Sequence, residues 1–347
     1  MGIGTLMKFS KLFMATVMLF GLSCGAYGMS AGFQIEQVEP TEHPRPILLD
    51  WWYPVLEDAE VSYNYGLGRG AVIEAGEVAP GTHPLVLLSH GAFGAARNYS
   101  WVAEHLARRG FMVAGVSHYG ESYVYGRDTV DPNAVLRSWQ RPQDITAALN
   151  FIAQKSQFKA NIDMGRVSFV GHSSGGATAL LLAGVVFDES RIADYCQSPH
   201  SDSDRGCDYA KGVNLRQNPN RSKSMQDDYT DRRIRSFVMM DPALGPGFSD
   251  FSRVDPSVKF LLVGSVDNDF LPFEQHARRI GRKLSDVQTI WLDNGEGHFI
   301  YLNECNSDIE AQGVPLCVDA AGVVRSAIHL GLKEDIAKFL HRANFGE

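Results

Sequence analysis

The fold of this chain is decided by the stretch Arg166-Val167-Ser168-Phe169-Val170-Gly171-His172-Ser173-Ser174-Gly175-Gly176-Ala177. The β-branched and aromatic run Val167 to Val170 reads as a strand. The apolar helix formers from Ala177 onward read as a helix, continuing to about Phe187. Between them, Gly-x-Ser-x-Gly makes a sharp strand-to-helix turn with Ser173 at its apex. The flanking glycines allow neighbouring backbone to approach, and the serine side chain is thrust clear of both elements. Ser173 is therefore a candidate nucleophile. So short a motif has meaning only if the rest of the chain supplies a base, an acid and donors for a developing negative charge.

Working outward, the same strand-then-helix rhythm recurs on both sides. Leu85 to Ser89 is a continuous apolar run bounded by Pro84 and Gly91, as suits a strand buried on both faces. It runs into His90-Gly91-Ala92-Phe93-Gly94. A helix is predicted over about 99–109 with Gly110 as its stop, then a strand over Met112 to Ser117 and a loop from His118. Such a unit of about 30 residues is the signature of a parallel sheet with right-handed crossovers. A helix over about 143–154, started by Pro142, precedes the serine strand. Beyond it come strands at Ile234 to Met240, Lys259 to Val263 and Thr289 to Leu292, with helices near 273–283 and 320–340. At the start, Phe33 to Val38 and Ile47 to Tyr53 read as strands, with one of Trp51 and Trp52 exposed. Residues 57–82 read as a loop or hairpin. The expected fold is an α/β one with a mostly parallel central sheet, helices on both faces and an insertion after the serine helix. That insertion, 188–233, is too long for an ordinary connection and reads as a lid or a surface excursion.

At 347 residues with 44% hydrophobic content, the chain suits one large domain over 29–347. A net charge of −8 argues against a nucleic-acid partner, since phosphate binding needs a basic face. Lys8 and Lys11 precede the apolar run Leu12 to Leu22 and the small residues Ala26 to Gly28, the layout of a signal peptide over 1–28, and the apolar run itself is too short to span a bilayer. Cys24 offers a lipid-modified N-terminus as the alternative. Export would place the other cysteines in an oxidising compartment. Four cysteines allow three connectivities. The expected pairs are the local ones, Cys196 with Cys207 and Cys305 with Cys317, each worth about 3 kcal/mol in the chain-entropy model.

Ligands of open parallel sheets bind at the carboxyl ends of the strands. Ser173, Asp241, Asp267, Asp269 and His298 all follow such ends, in the chain order nucleophile, acid, histidine. A serine hydroxyl needs a base, which His298 can be near neutral pH. The histidine needs a carboxylate on its other nitrogen. The backbone N–H groups of Ala92 and Ser174 are placed to hold an oxyanion. Phe93, Tyr119, Phe270 and Phe299 lie in loops at the site edge, as an acyl pocket or as core. His90, His118 and His172 read as structural, and Arg205, Arg216 and Arg221 as a solvated face. No histidine pair has metal-ligand spacing.

Taken together, Ser89-His90-Gly91-Ala92-Phe93-Gly94, Gly171-His172-Ser173-Ser174-Gly175-Gly176, Asp241-Pro242-Ala243-Leu244-Gly245, and Gly297-His298-Phe299 with Cys305 and Cys317 resemble exported α/β-hydrolases of the dienelactone-hydrolase-like and platelet-activating-factor acetylhydrolase-like groups, and are similar to polyester-degrading cutinases. The resemblance implies a serine hydrolase that cleaves small-molecule carboxylic esters through an acyl-enzyme, without cofactor or metal. A lipase or polyester hydrolase, and a non-catalytic binding protein of the same fold, are the rivals. Ser173 stands where dienelactone hydrolases carry cysteine, so their substrate class does not transfer. Most of these relatives imply Asp267 as the acid, with Asp269 if the turn is offset; the acetylhydrolases imply Asp241.

Overall fold

The computed structural model describes residue 1 and residues 28–38, 43–211, 227–305, 309–311 and 313–346. The expected signal segment with Cys24, and Arg216 and Arg221 of the insertion, lie outside the described residues. The strands are β1 (Ser30–Val38), β2 (Ile47–Val55), β3 (Val61–Asn64), β4 (Arg69–Glu74), β5 (His83–Ser89), β6 (Met112–His118), β7 (Ile162–His172), β8 (Ile234–Met240), β9 (Lys259–Ser265) and β10 (Val287–Leu292). They form one ten-stranded sheet in the order β10-β9-β8-β7-β5-β6-β2-β1-β4-β3. From β6 to β10 every pairing is parallel. β2 turns antiparallel against β6 and β1, and β3 and β4 form the hairpin expected within 57–82.

The central strands are mostly apolar where helices cover both faces. Alternate residues point to opposite sides. Leu85, Leu87, Val167 and Phe169 join the core under α2 (Gln140–Gln154) and α3 (Ser174–Leu182). Val86, Leu88, Val170 and Val238 join the core under α1 (Ser100–Arg108) and the C-terminal helix Arg325–Phe345. All nine residues of α3 are buried, which explains why the helix after Ser173 has no polar face.

Several boundaries differ from expectation for local reasons. α3 stops at Leu182, not near Phe187, because Gly184 takes φ +94° and the N–H groups of Gly184 and Val185 return to Leu181 and Leu180, a helix-ending left-handed turn. α2 begins at Gln140, with Pro142 inside its first turn, where its missing N–H is harmless. Trp51 and Trp52 are both fully buried. Both faces of β2 are covered, Trp51 packing in the core on one side of the sheet and Trp52 in the core on the other; their indole N–H groups donate to Glu36 and to the Tyr65 hydroxyl.

Candidate active site

Ser173 has φ 54° and ψ −114°, a backbone region that non-glycine residues avoid unless the surroundings enforce it. Two close packings enforce it here. A side chain on Gly171 would collide with the Gly175 carbonyl, and one on Gly175 with the carbonyl of Ser89 on the neighbouring strand. The turn is also tied down: Ser173 N–H donates to Met240 O at 3.0 Å, and Ser173 O accepts from the N–H groups of Ala177 and Ala243, each at 3.0 Å. The last of these bonds joins the serine turn to the loop carrying Asp241. Phe93, Asp241 and Leu244 share the left-handed backbone, so four of the six described non-glycine residues with positive φ surround one site.

His298 lies at the start of a single helical turn, with its ring buried. Asp269 fixes its main chain by accepting the His298 N–H at 2.8 Å, and His172 Nε2 donates to its carbonyl at 3.0 Å. Phe270 stacks on the imidazole at 5.3 Å between ring centroids. The carboxylate facing His298 Nδ1 is Asp241, its Oδ2 at 3.6 Å. Asp241 is held by the Ser265 N–H on Oδ1 and by Asn268 Nδ2 on Oδ2, both at 2.8 Å. Asn268 is itself oriented, since its Oδ1 accepts from the N–H groups of Phe270 and Leu271. Its Nδ2 also lies 3.3 Å from His298 Nδ1. Burial raises the Asp241 carboxyl above the usual range against these donors, and burial lowers the His298 imidazole. The imidazole is thus neutral at rest, the state a base requires.

Asp267, placed first as the acid by most relatives in the resemblance, is not brought to the imidazole. It sits past the end of β9 and accepts the exposed Gly295 N–H at 3.2 Å. In the loop after β9 it is Asn268 that points into the Asp241–His298 pair, whereas Asp267 accepts the Gly295 N–H and Asp269 the His298 N–H. Among residues that sequence reasoning missed, Asn268 carried no signal, because an amide between two carboxylates is the least conspicuous of the three.

Ser174 opens α3, so its N–H has no carbonyl one turn back in the helix. Among the described residues, the Ala92 N–H has no backbone hydrogen-bond partner. Both residues border a cavity of about 750 Å³ that also contains Ser173 and His298. Its walls are mostly apolar and include Phe93, Phe270 and Phe299. Tyr119 does not line it; this ring is partly exposed and packs edge-on against Tyr125. The described part of the insertion forms a roof. The helix Glu189–Cys196 is joined to the following turns by Cys196–Cys207, and Cys305–Cys317 closes the other predicted loop. Asp204 accepts from His276 Nε2 at 2.8 Å, and Arg205 N–H donates to Phe270 O. Tyr209 packs between Phe93 and Phe270. Arg205 points outward and pairs with Asp208.

His172 and His90 are structural links. His172 Nε2 donates to a carbonyl, so Nδ1 accepts from the Tyr99 hydroxyl at 2.8 Å, and that hydroxyl oxygen accepts the Gly91 N–H at 3.1 Å. His90 Nδ1 donates to Gly91 O, and Nε2 accepts the His118 N–H.

Residues 66–192 match the protein family described as Chlorophyllase. A bis(hydroxyethyl) terephthalate hydrolase from Streptomyces coelicolor is 28% identical over 116 residues, covering 33% of each chain. A platelet-activating factor acetylhydrolase from Cavia porcellus is 29% identical over 136 residues, 28% of this chain and 31% of that one. Cutinase 2 from Thermobifida cellulosilytica is 29% identical over 121 residues, 34% of this chain and 40% of that one. The chain thus spans about a third of the length of these curated relatives. Among solved structures, a ferulic acid esterase from Streptomyces cinnamoneus superimposes with a TM-score of 0.59 at 18% identity, over 93% of this chain and 92% of that one. The fold is the α/β-hydrolase fold.

Proposed function

We propose that the protein is a serine hydrolase of carboxylic esters, with Ser173 as nucleophile, His298 as base and Asp241 as acid. The observation that carries this reading is the convergence of a strained serine and a neutral buried histidine on one apolar cavity, with a carboxylate behind the histidine. In the acylation step His298 takes the Ser173 proton as the oxygen attacks the ester carbonyl. The charge passing to the carbonyl oxygen is held by the N–H groups of Ala92 and Ser174. Asp241 stabilises the imidazolium, whose proton then leaves with the alcohol. Water, activated by the same histidine, releases the acid and restores the serine. Residues 29–347 would be the mature catalytic unit, exported and freed of residues 1–28; two disulfides, and the absence among the described residues of any helix long and apolar enough to cross a membrane, agree with this.

A second reading, a hydrolase of larger apolar or polymeric esters, is favoured by the volume and apolar lining of the cavity. The test is turnover of p-nitrophenyl esters of graded chain length by the mature protein, with labelling by a fluorophosphonate. Saponification and a label on Ser173 are expected. No turnover and no label would overturn the proposal, while activity confined to long or polymeric substrates would select the second reading.

A further inference from the structure

One buried charge pair lies outside the chemistry above, next to the loop that supplies the Ala92 donor. Arg141, in the first turn of α2, is 1% exposed. Its Nε and Nη2 donate to the two carboxylate oxygens of Glu121, at 2.9 and 2.6 Å. The remaining edge of the guanidinium faces the loop after β5: Nη1 donates to His90 O at 2.7 Å, and Nη2 to Gly91 O at 3.3 Å. Burying an ion pair is a poor way to gain stability, since desolvation offsets the attraction and apolar residues would serve as well. A planar fork that holds a carboxylate on one side and two carbonyls on another is something only arginine provides.

Peptide planarity makes this contact relevant to the reaction. Gly91 O and the Ala92 N–H belong to one trans peptide unit and point in opposite directions. Whatever holds the carbonyl therefore aims the N–H. Gly91 O is held by Arg141 Nη2, His90 Nδ1 at 2.6 Å and the Gly94 N–H at 3.2 Å. On the preceding peptide, Arg141 holds His90 O and the Tyr99 hydroxyl holds the Gly91 N–H. A donor aimed in advance at the developing charge needs no reorganisation when the reaction occurs.

We infer that Arg141, with Glu121 as its counter-charge, is a positioning residue for the oxyanion donor at Ala92, acting through the His90 and Gly91 carbonyls. The inference rests on the proposed ester hydrolysis. Arg141→Met should lower kcat by roughly tenfold or more and leave KM within about threefold. It should weaken a tetrahedral boronate inhibitor by the factor seen in kcat while a non-reactive ketone-free ester isostere binds as before. Arg141→Lys, which keeps one donor, should recover part of both losses. A purely structural role would reduce the folded fraction, read by thermal unfolding, without changing the ratio of boronate to isostere affinity. Unchanged kcat, or an unchanged affinity ratio in folded variant, overturns the inference while the proposed function stands. If Arg141→Met fails to fold, Glu121→Gln carries the same test, with a smaller loss of the same pattern expected and an unchanged ratio overturning it. A wild-type protein without esterase turnover overturns both.

Discussion

The molecule contains two serine-histidine-aspartate arrays, and they differ in instructive ways. In one, Ser173 and His298 line the cavity and Asp241 stands behind the imidazole, 3.6 Å from Nδ1. In the other, Ser89 Oγ lies 2.9 Å from His118 Nε2, and His118 Nδ1 lies 2.8 Å from Asp144 Oδ2. The second array has the tighter hydrogen bonds, yet none of its members reaches the cavity. Ser89 sits in a regular strand at 1% exposure, and Asp144 is neutralised by Arg45 at 2.7 Å. Asp241 accepts from two neutral donors, the Ser265 N–H and Asn268 Nδ2, and faces His298. Residue types and bonding alone do not make a catalytic site. The proposed site differs in its strained serine and in the cavity that Ser173, His298 and the Ala92 loop face.

The largest contrast should come from the two serines. Ser173→Ala should lose roughly four orders of magnitude or more in kcat/KM on a short p-nitrophenyl ester. Ser89→Ala should stay within about tenfold, because its loss touches the oxyanion loop only indirectly. Equal losses from both substitutions would erase the distinction drawn here.

Next in size are the acids. Asp241→Asn should cost about 10³ to 10⁴ in kcat with the fold intact, through loss of the correct tautomer and of imidazolium stabilisation. Asp267→Asn should change kcat by no more than a few-fold, since its carboxylate only receives an exposed N–H. The reverse ranking would return the acid role to Asp267.

This ranking also marks where sequence reading stopped. The parallel sheet was legible because residues 85–88, 112–116 and 167–170 are largely apolar runs bounded by glycine or proline. Ser173 and His298 were legible because each follows a predicted strand end or loop in the required chain order. The proposed acid was not legible: Asp241, Asp267 and Asp269 all follow strand ends. Only the side-chain packing that turns Asn268 between Asp241 and His298 separates them. The same limit hid Arg141, an arginine at a helix start that looks solvated until α2 is laid against the oxyanion loop. Trp51 and Trp52 were misjudged because one strand cannot announce that both of its faces will be covered.

In the second array the expected loss is in stability. Asp144→Asn leaves Arg45 without its counter-ion in a site where Asp144 is almost fully buried. Removing one partner of a buried pair costs about 3 kcal/mol or more. The urea midpoint should fall accordingly while kcat of the folded fraction stays within about tenfold. A stable variant with a large loss in kcat would give Asp144 a role in the chemistry.

His118 sharpens the comparison through pH. Burial, reinforced by the nearby Arg141 charge, lowers its imidazole well below 6.5, so the folded protein keeps it neutral where the unfolded chain protonates it. The unfolded state then binds more protons as pH falls below 6.5, and stability is lost in that direction. Other buried groups shift with pH too, so the informative quantity is a difference: the unfolding free energy of the wild type minus that of His118→Gln. Above pH 6.5 this difference should be flat. Between pH 6.5 and 5 it should shrink by about 1.4 kcal/mol per pH unit, roughly 2 kcal/mol in all. A difference that is constant across this range would mean that His118 is not held neutral, and the charge balance of the closed array, Asp144 against Arg45 with His43 nearby, would have to be redrawn with a His118 imidazolium in it.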